Sequence, residues 1–155
     1  MLYEIVDKSK VISDKNKNGG YDHLVAAATD FNSVFEGVEM DYKAGKHGKH
    51  WTPEYQEKLN KSVLVWEAFL KETDFDVLVD TKTISDNYRQ KILLNYVQGL
   101  ILTGQFDKAE EQIAKYLKVK VRAVTAEDLR NLRRTLIYEK TQFENNATSK
   151  GWVKI

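Results

Sequence analysis

Apolar residues recur at three- and four-residue steps through most of the chain, the spacing of helices with one buried face. Leu24, Ala27, Ala28, Phe31, Val34, Phe35 and Val38 mark a helix over 23–40. Its alanines suit close contact with a neighbour. Tyr55, Leu59, Val63, Trp66, Phe69 and Leu70 mark another over 53–73, opened by Thr52-Pro53-Glu54 as cap, first helical residue and first-turn carboxylate. Ile92, Leu93, Tyr96, Leu100 and Ile101 predict a helix over 86–103, capped by Ser85 or Asp86. Ala109, Ile113, Tyr116 and Leu117 predict one over 106–118. Gly104 supplies the left-handed residue that closes a helix, and Asp107 sits at the positive end of the next dipole, so these two helices run antiparallel.

The remaining stretches are less periodic. Residues 2–12 suit a short helix or a strand, with helix favoured, and 74–83 is either a connection tucked onto the core or a short extra helix. Residues 118–124 alternate charge and apolar character with no obvious partner strand and read as an extended linker. Thr125-Ala126-Glu127-Asp128 resembles a capping box for a closing helix over 125–145, which carries Leu129, Leu132, Leu136, Ile137 and Phe143 and has Asn145-Asn146 at its end. Residues 146–155 form a tail whose Trp152 favours a contact, back onto this chain or onto a partner.

Within the central pair, the run Leu93-x-x-Tyr96-x-x-x-Leu100-x-x-x-Gly104-x-Phe106-x-x-Ala109-x-x-x-Ile113 resembles one tetratricopeptide repeat. A small residue ends the first helix, an aromatic follows two positions on, and an alanine three further lets the helices approach. Val97, Tyr116 and Val121 depart from that family, which favours a small residue, alanine and proline there. The resemblance implies an all-α fold of antiparallel hairpins stacked as a short right-handed superhelix. The expected order is an N-terminal segment and turn over 1–21, two hairpins over 22–118, the closing helix as cap, and the tail. It also implies a non-catalytic scaffold that binds a peptide or partner protein along a groove. Lys91, Asn95 and Gln98 project away from the expected core face and are the contact candidates.

Composition narrows the alternatives. The 155 residues suit one domain, with 30% charged and 42% hydrophobic residues, as in ordinary soluble chains. A net charge of +1 provides no global field for nucleic acid or membrane, and no run approaches the ~18 apolar residues of a membrane span. Cysteine is absent, which excludes disulfides and thiolate chemistry. Met1-Leu2-Tyr3 opens without a basic-then-apolar segment, so the expectation is a cytoplasmic chain or a leaderless piece of an exported one. A homo-oligomer is compatible with a short helical stack.

Three further chemistries have candidate residues in the chain. Asp14, Asn16, Asn18, Gly19 and Asp22 follow the opening of a calcium loop, but Val25 occupies the place of the bidentate Glu, so a turn that caps the next helix explains them as well. His47, His50 and Glu54 could approach one metal, though they lie in a basic, glycine-containing stretch that reads more simply as an exposed loop. No cofactor is expected, and no nucleophile, phosphate loop or dinucleotide motif accompanies the three histidines, so no catalytic residue is assigned. The main rival to protein binding is a nucleic-acid face on Arg130, Arg133 and Arg134, supplemented by Lys118, Lys120 and Arg122. Glu127, Asp128 and Glu139 oppose it, and aromatics for base stacking are missing between those cations.

Overall fold

The computed structural model describes residues 34, 36, 37, 40, 43–45, 48–72, 86–118 and 123–155. Among them the protein is all-α: α1 (Pro53–Glu72), α2 (Asp86–Leu102), α3 (Phe106–Lys118) and α4 (Ala123–Lys150), preceded by a 3-10 turn, Lys49–Trp51. The described residues of the stretch expected as the 23–40 helix are helical too, and Val34 is buried. No described helix is long and apolar enough to cross a membrane. The calcium-loop candidates Asp14, Asn16, Asn18 and Asp22 lie outside the described residues, as do residues 2–12, His47 and 74–83.

The α2–α3 hairpin forms around the expected residue. Gly104 takes φ 78°, its N–H donates to Ile101 O at 3.1 Å, and the Gln105 N–H donates to Leu100 O at 2.9 Å. This pair of bonds is the Schellman closure, in which a left-handed glycine satisfies carbonyls the helix leaves open. Gln105 then accepts from the Ala109 N–H, and α3 begins. Phe106, Ala109, Ile113 and Tyr116 are buried along one face of α3.

α2 is the centre of the fold, because it packs against α1, α3 and α4, and α4 also packs against α3. Every residue from 92 to 104 is buried. This corrects the expectation that Asn95 and Gln98 project outward: both are fully buried. A helix enclosed by neighbours has no solvent face, so the wheel position of a polar residue says nothing about its exposure. Glu67 of α1 ties the helices laterally, accepting from the Tyr96 hydroxyl at 3.1 Å and pairing with Lys108 of α3.

α1 begins at Pro53 as its sequence directs, although Thr52 turns its hydroxyl back to Lys49 O at 2.7 Å and closes the 3-10 turn. Other boundaries moved. α4 starts at Ala123, so Thr125 is an interior, buried residue and not a cap, and at least the last two residues of the expected linker are helical. Asn145-Asn146 does not stop α4, because Asn146 Nδ2 donates to Gln142 O at 2.9 Å and the next breaker is Gly151. Ile137 is exposed on this helix.

Candidate functional site

Three features of the chain converge at one end of the bundle: the turn before α1, the turn between α2 and α3, and the residues after α4. Each turn carries a glycine with positive φ, Gly48 at 84° and Gly104 at 78°. α4 is closed by Gly151 at φ 65°, with the Trp152 N–H reaching Ala147 O at 3.1 Å. The same closure that ends α2 thus ends α4, and it sends residues 152–155 back across the two turns.

That segment is held as an extended strand would be. The Val153 N–H donates to Trp51 O and the Ile155 N–H to Thr103 O, both at 2.9 Å. Successive side chains of an extended segment point to opposite sides. Val153 and Ile155 are 40% and 53% exposed, while Trp152 packs against the core cluster and Lys154, though also exposed, lays its alkyl stem against Gly104. A Cβ on Gly48 would stand 2.0 Å from the Trp152 ring, and one on Gly104 would stand 2.3 Å from Lys154 Cβ. Both glycines therefore serve close approach as well as backbone geometry.

The Trp152 seat is aromatic. Its ring stacks on Trp51 with centroids 6.5 Å apart and tilts against Phe143 at 6.5 Å. Trp51 is fully buried, edge-on to Phe143 at 4.8 Å and 5.9 Å from Phe106. The Lys154 seat is mixed. Its ammonium lies 5.5 Å from the Phe143 ring centroid and 5.8 Å from that of Phe106, within cation–π range. A pocket of about 110 Å³ opens beside it, lined by Gly104, Phe106, Asp107, Lys140, Phe143, Glu144 and Lys154.

Beneath these seats the two turns are fastened to each other. Gln56 Nε2 donates to His50 O and to Leu102 O, each at 2.7 Å. One amide thereby sets the spacing between the strands of backbone that receive Val153 and Ile155. His50 Nε2 lies 2.9 Å from Glu139 Oε2 of α4, with both residues buried. The other ring nitrogen, Nδ1, is buried with no hydrogen-bond partner among the described residues. The exposed-loop expectation for His50 is thus corrected: Trp51 and His50 plug the end of the core, while Glu54 is exposed. No group of three metal-ligating acids or histidines occurs among the described residues.

The rival basic face is only partly assembled. Arg133 is engaged by Glu110 of α3, Nη2 to Oε1 at 2.9 Å and Nε to Oε2 at 3.2 Å. Arg134 bonds Asn131 at 2.8 Å, and Arg130 is exposed. Ile137 and Tyr138 continue the exposed surface of α4. Lys120 and Arg122 lie outside the described residues.

Alternation along the chain carries no signal for this seat, because Val153 and Ile155, the apolar pair at alternate positions, are the exposed ones. Comparison of the chain with protein families, with curated proteins and with solved structures found no match.

Proposed function

We propose that this chain is a non-catalytic protein-interaction module that holds an extended segment of a partner, and that its α2–α3 hairpin is a tetratricopeptide-like unit within a short helical stack. The observation that carries the reading is the seat at the end of the bundle, where the chain's own residues 152–155 lie on two backbone carbonyls, with Trp152 packed on the core and the exposed Lys154 laid along Gly104. Main-chain bonds with pockets for alternate side chains are a general mode of peptide recognition. The contact surface is then this seat, since Asn95 and Gln98 are enclosed in the core.

Retention of partners by the immobilised chain tests this reading. Protein retained at about 0.5 M salt, where a Debye length of a few ångströms screens simple charge attraction, and unaffected by Arg130→Ala with Arg134→Ala, is the expected result. Nucleic acid that elutes with rising salt and is lost in that double variant would replace the reading with the basic face.

A further inference from the structure

We propose that the seat at the end of the bundle recognises partner segments of the pattern Trp-x-Lys, and that residues 152–155 occupy it as an intramolecular competitor. This rests on the interaction-module reading and names its ligand.

The chemistry of the ligand is set by the two seats. The first is an aromatic patch: the Trp51 and Phe143 rings, in edge contact with each other at 4.8 Å, meet the indole together from one side, over a backbone floor at Gly48 that any Cβ would close. A planar ring fits such a floor, and an indole covers more of it than a phenyl group does. The second seat takes an alkyl stem across Gly104 and delivers its cationic end to the faces of Phe106 and Phe143. Asp107 and Glu144 line that pocket together with Lys140, so with the native lysine withdrawn two carboxylates face one ammonium and the lining favours a cation. The seats lie two residues apart on one side of an extended backbone, with Trp51 O and Thr103 O receiving the amides that follow each. Nothing in this geometry requires the occupant to be covalently joined to α4.

The cis segment nonetheless holds an advantage. Its link to α4 is the single residue Gly151, which has no neighbour within 4 Å of its missing Cβ. A tether this short gives an effective concentration of about millimolar or above, which a free segment must exceed. The unmodified chain therefore binds such a partner weakly, and binding strengthens when the cis segment is displaced.

The test uses the full chain carrying W152A/K154A, which empties both seats, and a synthetic peptide of residues 150–155. The expected result is that saturating peptide raises the melting temperature of the variant by about 3 °C or more. If the variant alone is unfolded by circular dichroism, peptide-induced helicity is the equivalent result. The unmodified chain should bind the same peptide at least about tenfold more weakly. A peptide with alanine in place of both Trp and Lys should have no effect. Absence of any peptide effect on the variant overturns the proposal, while a partner still retained from lysate would leave the interaction-module reading intact. Equal binding to both chains overturns the intramolecular competition. A concentration-dependent dimer of the unmodified chain, dissociated by the peptide, would seat a second copy there in place of a partner.

Discussion

Gly45 and Gly48 share a left-handed backbone, φ 76° and 84°, yet among the described residues only Gly48 has a neighbour over its α-carbon. Gly45→Ala should therefore cost only the backbone term, about 1 kcal/mol. Gly48→Ala should cost at least about 1 kcal/mol more, because the new methyl group and the Trp152 ring occupy one place. Urea unfolding of the pair checks this, and equal losses would show that Trp152 does not lie on Gly48. Asn95 makes the opposite prediction. Its side-chain amide is buried with neither atom partnered among the described residues, a cost without an evident return. Asn95→Leu should stabilise the fold by about 1–2 kcal/mol and leave partner retention unchanged. Loss of retention in a stably folded Asn95→Leu chain would restore Asn95 as a contact.

At the scale of elements, the turns matter more than the helices they join. Gln56 holds the 3-10 turn and the end of α2 together with two bonds from one nitrogen. Gln56→Leu keeps the volume but leaves two buried carbonyls each short of a donor, so a loss of about 2–3 kcal/mol is expected in chemical denaturation. A loss below about 0.5 kcal/mol would mean that solvent supplies the missing donors and that the turns are not fastened this way. The α2–α3 hairpin was legible in the sequence because its determinants are local: Gly104 must close one helix, and Phe106 and Ala109 open the face of the next. Pro53 and the inward Leu59, Val63 and Trp66 were legible for the same reason. The enclosure of Asn95 was not, since it depends on how many neighbours α2 acquires. Nor was the extent of α4, whose Asn146 bonds back to its own helix. The seat itself was hidden because it joins residues 48–51, 103–106 and 152–155, which are distant in the chain and individually short.

For the whole molecule, the lateral tie through Glu67 gives stability a dependence on alkaline pH. Burial, with Glu67 beside it, holds the Tyr96 phenol well above its ordinary value of 10.0, and burial raises Tyr116 as well. A raised folded pKa means that the contribution is intact below the unfolded value and is lost as pH rises beyond it. Stability should fall above about pH 10 as the unfolded chain releases these protons, and Tyr96→Phe should flatten part of that decline. Unfolding curves from pH 8 to 11 that are parallel for the two chains would contradict it.

Residues 152–155 are a seated, strand-like occupant of the bundle's end. Amide hydrogen exchange by NMR reads this directly. Val153 and Ile155, bonded to Trp51 O and Thr103 O, should exchange at least about tenfold more slowly than Lys154 between them, which carries no such backbone bond among the described residues. Uniformly fast exchange at all three amides would mean that the segment is not seated and that the proposed recognition site is not built by this fold.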